Sequence, residues 1–507
     1  MVLVSVFQKS PGYLDADYYF AGGQQLFSGK GFTEPYLWNY LDNPSSLPHP
    51  SNTYWMPFAS ILAAMGMRVF NQDSWQIGRL FFQGTVIAIP LITYNLAYTF
   101  HQKRNLALAS GFLAIFCGYY LVYLTTTDTF GIYILAGGVF FLLARSNFKG
   151  RHLLIGMISG IMYLSRSDGL IWLVVAIISL LLWNHQKKNQ LYRSLDVIKE
   201  FSLIITGFLL VAGWWFVRNY QVFGLIFPPG NFQTLWLTHY NQIFTIDPAR
   251  LTFSEWIKAG LPAAIKVRNF AAGVNLQNAI AAQGSIFLTP LILIAAWKLK
   301  QDPRIQMGAV LWFLIFVAMS FIFPFAGPRG GFFHSSASLQ VLNWSLAPIG
   351  LETSVGWIGR RRGWAIRQAT KVFLILLVFI SIVFSGYIST VKLYSFENRK
   401  TIWNSESERY KDVYAFLKTS GASQNSVVLV ANPPGFFLES GLQSVAVPDG
   451  AISSLFMVAG RFSADYLILE EDSLPDGLRD VYKYPDDYVG LKLLGKVENA
   501  LIFKFGY

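Results

Sequence analysis

WMPFASILAAMGMRVF, residues 55–70, decides how the chain is threaded. The stretch is apolar, but it falls short of the roughly 20 residues a bilayer requires and carries Arg68 near its end. If it crossed, the side of every later loop would invert, or a second crossing would have to fit into the polar NQDSWQIGR (71–79). It reads as a helix lying at the outer interface, with Trp55 and Arg68 near the headgroups. A short true span is the alternative.

The rest of the chain is more apolar than a soluble domain allows. It has 507 residues, 53% hydrophobic, 16% aromatic and 13% charged, with a mean hydropathy of +0.40. About ten candidate spans follow, each near the bilayer length: 79–99, 106–124, 129–145, 152–166, 169–184, 201–217, 284–299, 305–324, 334–352 and 371–392. Several are short, which predicts tilted or locally broken helices around a polar cavity. The net charge of +12 does not point to nucleic acid, because the basic residues cluster between apolar runs. Cys117 is the single cysteine and lies in an apolar run, which excludes a disulfide framework and a cysteine metal site.

HQKR (101–104), RSNFKGR (145–151), HQKKNQLYR (185–193), KLKQDPR (298–304) and GRRRGWAIRQATK (359–371) fall on one side, the cytoplasmic one. The opposite side receives residues 1–78, TTTD (125–128), SRSDG (165–169), the 218–283 loop, PFAGPRGGFFHSS (324–336) and everything after 393. MVLVSVFQKS (1–10) is too short to span and lacks signal-peptide flanks, so an outer start implies a first span missing ahead of Met1. From 393 on, apolar runs such as SVVLVA (426–431) and YLILE (466–470) alternate with NPPG and PDG turns, which predicts a small extracytoplasmic α/β domain with a structural or acceptor-binding role. The division is 1–78 first outer loop with juxtamembrane helices, 79–392 transmembrane domain, and 393–507 soluble domain.

This threading brings Asp15, Asp17, His49, Asp128, Arg166, Asp168, Arg218, Lys266, Arg268, Arg329 and His334 to one membrane face. Carboxylates beside arginines suit a substrate with an anionic group and a hydroxyl to be activated. Each residue also has a plainer reading. Asp15 and Asp128 stand where helix N-caps belong, and Arg166 with Asp168 fits a local ion pair in the turn between two helices. Gly156 and Gly160 form a small-xxx-small helix contact.

DADYYFAGGQQLFSGKGF (15–32), with EPYLWNYLDNPSSLPHPSNTYWMPFASILAA (34–64), resembles the first outer loop of GT-C superfamily glycosyltransferases. It is nearest to the protein O-mannosyltransferase-like branch that includes the lipid A aminoarabinose transferases. TTTDTF (125–130) resembles that branch's second outer-loop aspartate, LSRSDGL (164–170) its basic residue after the next helix pair, and WWFVRNYQVFGLIFPPG (214–230) its Trp-Arg-Asn stretch. The likeness covers residues 12 to about 230 well and the rest loosely. It implies an all-α polytopic GT-C-like membrane protein of about 10–11 spans plus juxtamembrane helices, with the small C-terminal α/β domain.

The implied activity moves a sugar from a polyprenyl-phosphate donor to an unknown acceptor, whether protein, lipid or glycan. Its setting is the plasma membrane of a prokaryote, with the catalytic face outside the cytoplasm among membrane lipid. Asp15, Asp17 and Asp128 are the catalytic candidates. Arg166, Asp168, Arg218, Arg329 and His334 are the candidates for substrate and phosphate. No cofactor and no essential metal is expected. Positions i and i+2 of a helix point about 200° apart, so only one of the leading aspartates faces the cavity, and the spacing to Leu26 and Gly29 in the family register favours Asp15. A lipid-linked sugar transporter or flippase and a non-catalytic membrane protein remain the alternatives.

Overall fold

The computed structural model describes residues 2–186, 194–247, 251–397 and 399–506. Most of the basic stretch 185–193 and residues 248–250 of the long outer loop lie outside them. The chain forms two compact units: one of residues 1–4, 81–220 and 265–393, the other of residues 5–80, 221–264 and 394–507.

The first unit is helical. Its main helices include Leu80–His101, Arg104–Ile115, Phe130–Ala144, Arg151–Ser165, Leu170–Gln186, Ser194–Phe223, Leu261–Asn278, Pro303–Val317, Gln340–Arg362 and Ile366–Leu393. Four described helical stretches are long and apolar enough to cross a membrane: Trp75–His101, Asp196–Phe223, Pro303–Ile322 and Ile366–Leu393. The architecture is that of a polytopic membrane protein, several of whose apolar helices are short or interrupted.

The interruptions have local causes. The span expected over 106–124 stops at Ile115, because Gly118 adopts a positive φ of 60° and the chain runs irregularly to Thr129. The span expected over 334–352 divides at Ser338 and Leu339, and its second part runs on to Arg362. Part of the expected 218–283 loop is the helix Leu261–Asn278, whose polar Lys266, Arg268 and Asn269 kept it from reading as apolar. The small-residue contact is as expected. A Cβ on Gly156 would lie 2.0 Å from the Ile204 carbonyl, and Gly207 returns the approach at 2.1 Å from the Leu153 carbonyl.

The second unit contains a six-stranded sheet: β1 (Tyr36–Leu37), β2 (Val427–Val430), β3 (Gln443–Ala446), β4 (Tyr466–Glu470), β5 (Leu491–Val497) and β6 (Ala500–Phe505). The order is β1-β3-β2-β4-β6-β5, parallel from β1 to β4 and antiparallel beyond. Both faces are covered, which explains the continuous apolar runs. Val427, Leu429, Leu467 and Leu469 face one core with Leu455 and Val458, while Val428, Val430, Tyr466 and Ile468 face another with Tyr410 and Phe436. The sheet is not built from the C-terminal region alone, because β1 comes from the first loop and pairs Tyr36 with Ser444.

In the same unit the helix Leu14–Phe27 packs on Phe58–Phe70. Gly22 and Gly23 allow the approach, since Cβ atoms there would lie 2.7 Å from Ser60 Oγ and 2.8 Å from Ala63 Cβ. At 13 residues Phe58–Phe70 is about 20 Å long, less than a bilayer core of about 30 Å.

Candidate functional site

In the helical unit, the irregular 116–129 stretch ends in Asp128, which is 1% exposed. Thr129, not Asp128, is the N-cap of Phe130–Ala144, and Asp128 Oδ1 accepts from the Thr129 amide and hydroxyl. Its other oxygen, Oδ2, lies 3.1 Å from His334 Nε2. His334 Nδ1 is 2.9 Å from the Gly330 carbonyl, which can only accept, so Nδ1 carries a hydrogen. The contact between Nε2 and Oδ2 then holds one further proton. The imidazole stacks on Phe130 with ring centroids 3.9 Å apart. Gly330, at φ 104°, breaks the helix there and turns its carbonyl to the ring.

Arg166 and Asp168 meet, Nε to Oδ1 at 3.0 Å, across the turn Ser167–Gly169. Their side chains are 15% and 11% exposed, a half-buried pair rather than a solvated one. Arg218 lies over the Trp215 ring at 4.8 Å and donates to Asn219 Oδ1 at 3.2 Å. Arg268 donates to the Phe321 carbonyl at 2.9 Å, and Lys266 and Arg329 are exposed. Arg329 precedes Gly330 and so sits at the same helix break as His334.

In the other unit, the helix Leu14–Phe27 has Tyr13 as its N-cap, so Asp15 stands in the first turn instead of capping it. The two aspartates part as the helical turn requires: Asp15 is half-buried, and Asp17 is 6% exposed. Asn432 Nδ2 donates to Asp17 Oδ2 at 2.8 Å. Burial, and then the neighbouring Glu406, hold the Asp17 carboxyl well above the usual carboxylate range. His49 pairs with Asp42 at 2.6 Å in this unit. Asn432 and Glu406 were not anticipated. The one signal for Asn432 was its place between an apolar run and Pro-Pro-Gly, where a capping residue belongs.

Residues 48–215 match the family model described as dolichyl-phosphate-mannose-protein mannosyltransferase. Comparison with curated protein sequences finds no match. Among solved structures, ArnT from Cupriavidus metallidurans bound to undecaprenyl phosphate is similar at a TM-score of 0.54 and 11% identity, covering 99% of this chain and 96% of that one. The apo oligosaccharyltransferase of Archaeoglobus fulgidus is similar at a TM-score of 0.56 and 12% identity, over 91% of this chain. The chain spans 66% of that archaeal protein's length.

The fold is that of the GT-C glycosyltransferases.

Within this GT-C fold the family match takes in Asp128 and the Arg166–Asp168 turn. It begins after Asp15 and Asp17 and ends before Arg218, Arg329 and His334. Of the first loop, the match takes in residues 48–78 with the helix Phe58–Phe70, and not the helix Leu14–Phe27.

Proposed function

We propose that the protein is a glycosyltransferase that moves a sugar from a polyprenyl-phosphate donor to an acceptor hydroxyl by single displacement. The observation that carries this reading is the match of residues 48–215 to a mannosyltransferase family model, which includes the buried Asp128 and the Arg166–Asp168 pair. The fold shared with an ArnT bound to undecaprenyl phosphate supports the choice of donor.

Asp15 acts as general base. It takes the proton as the acceptor oxygen bonds to the anomeric carbon and the carbon–phosphate oxygen bond breaks, a contribution of about 10²–10⁴-fold. Arg166, Arg218 and Arg329 neutralise the departing polyprenyl phosphate, and Asp168 orients Arg166. Both His334 nitrogens have protein partners, so His334 serves to hold Asp128, which orients the sugar. The basic loops lie on the cytoplasmic side of a prokaryotic plasma membrane and the reaction takes place on the other. The acceptor is a protein, lipid or glycan hydroxyl.

The test uses purified protein with undecaprenyl-phosphate-linked mannose, glucose and aminoarabinose, following release of undecaprenyl phosphate. Asp15→Asn is expected to lower turnover by about 10²-fold or more. Asp128→Asn and Arg166→Gln are expected to lower it as well, and full activity in all three variants would overturn the mechanism.

A further inference from the structure

The winding of the sheet reverses at β2. From β2 the chain passes through the helix Pro433–Ser440 to β3 on one side, then returns through Ile452–Phe462 to β4 on the other. Open parallel sheets take their ligands in the crevice outside the strand ends at such a point. Here Asn432 follows β2 and Glu470 closes β4, and the side chain that enters between them is Asp17.

The fit is specific. Asn432 Nδ2 donates to Asp17 Oδ2 at 2.8 Å and to Glu406 Oε2 at 3.1 Å, while its Oδ1 accepts from the Gly435 amide at 3.0 Å and so caps the helix. The Asn432 amide donates to the Tyr410 hydroxyl at 3.3 Å, and that hydroxyl donates to Glu470 at 2.8 Å. A Cβ on Gly435 would lie 2.6 Å from Asn432 Nδ2 and 2.9 Å from Asp17 Oδ2, so the bare glycine admits the carboxyl group.

We propose that the ligand crevice of this sheet is filled from within by Asp17, and that Asn432, Glu406 and Gly435 thereby act as positioning residues for the helix that carries Asp15. The inference rests on the reading of Asp15 as general base. It gives the C-terminal region a task in the reaction, which is to hold the base in register.

The Asn432 amide has one hydrogen for each carboxyl group, but two buried carboxylates so close together repel, which favours a proton on one of them. Asp17 faces Glu406 from the helix Ser405–Thr419, Glu439 from Pro433–Ser440 and Asp15 from its own helix, and Glu406 in turn faces Arg409 and Tyr410 from its own helix and Glu470 from β4. Arg409 is taken by Glu470, and Lys411 reaches Glu439 at 3.5 Å. From Phe58–Phe70 the charge is Arg68, which donates to the Leu26 carbonyl at the far end. Burial and Glu406 raise Asp17, and burial and Glu470 raise Glu406 to about 7. The folded state therefore binds more protons than the unfolded chain at neutral pH. The junction is at full strength below about 4, the unfolded carboxylate value, and loses strength as pH rises through 7.

Hydrogen exchange of the amides in 14–27, read in the full detergent-solubilised chain and corrected for intrinsic rates, tests this without substrate. In the unsubstituted protein, protection is expected to fall by about tenfold or more between pH 6 and 9, the effect of one unit of differential proton affinity. Asp17→Asn, a permanently neutral stand-in, is expected to reduce that fall to the share of Glu406, the double variant Asp17→Asn with Glu406→Gln to remove it, and Asn432→Leu to lower protection at every pH. Turnover of the same undecaprenyl-phosphate sugars should show the matching alkaline loss, smaller in Asp17→Asn and absent in the double variant. Protection independent of pH, or an Asp17→Asn protein that is protected yet as inactive as Asp15→Asn, would overturn the proposal. An active Asp15→Asn protein would instead overturn the base assignment, while the exchange data still report on the junction.

Discussion

At Gly435 one methyl group separates a formed junction from a clash. The Cβ of an alanine would fall 2.6 Å from Asn432 Nδ2, and neither that amide nor the Asp17 carboxyl has a flexible stem with which to retreat. Gly435→Ala is expected to destabilise by about 1–3 kcal/mol, as overpacking does, and thermal unfolding of the purified protein would read it. An unchanged Tm would mean that Asp17 does not insert there. The divergence of Asp15 and Asp17 was legible in the sequence, because helical geometry sends residues two apart to different sides. The partner was not, since Asn432 lies 415 residues further on and no local pattern links them. The role of Asp128 as a possible N-cap shows the same limit. Its carboxylate does serve the helix start, through Thr129, but the histidine on its other oxygen comes from a helix break 206 residues away.

Among elements, the contact between Arg151–Ser165 and Ser194–Phe223 depends on absent side chains on both helices. Gly207→Ala would place a Cβ 2.1 Å from the Leu153 carbonyl, a backbone atom that moves only with its helix. The expected outcome is a loss of about 1–3 kcal/mol and a lower Tm, whereas Gly213→Ala on the same helix, with 3.8 Å to its nearest neighbour, should leave Tm unchanged. The Gly156 and Gly160 side of this contact could be read because both glycines lie on one face of one helix. Gly207 could not, because a single glycine carries no spacing. Apolar runs similarly located the helices but not their breaks. The stop at Ile115 depends on the positive φ of Gly118, and the division at 338–339 falls on Ser-Leu, with no glycine or proline to mark it.

For the whole molecule, the expectation of an α/β domain after 393 followed from alternating runs and turns, and the sheet is there. What the pattern could not reveal is its sixth strand, because Tyr36–Leu37 is two residues long and has no period. Leu37, Tyr40 and Ile246 belong to the same core cluster as Leu467 and Phe503. A fragment of residues 399–506 alone would leave that cluster partly open. It is expected to bind the dye ANS and to melt without a sharp transition, and a cooperative melt with no dye binding would show the C-terminal region to be self-sufficient.

The first-loop strand also sets a schedule for biosynthesis. Its partner β3 emerges from the ribosome about 400 residues later, which at 5–20 residues per second is roughly 20–80 seconds. Through that interval the edge at Tyr36–Leu37 has no strand beside it, and the crevice that receives Asp17 does not yet exist. Assembly of the second unit is thereby deferred to the end of translation. A chain cut short before residue 443 would already contain every candidate catalytic aspartate and still lack the strand that closes the sheet around the first loop.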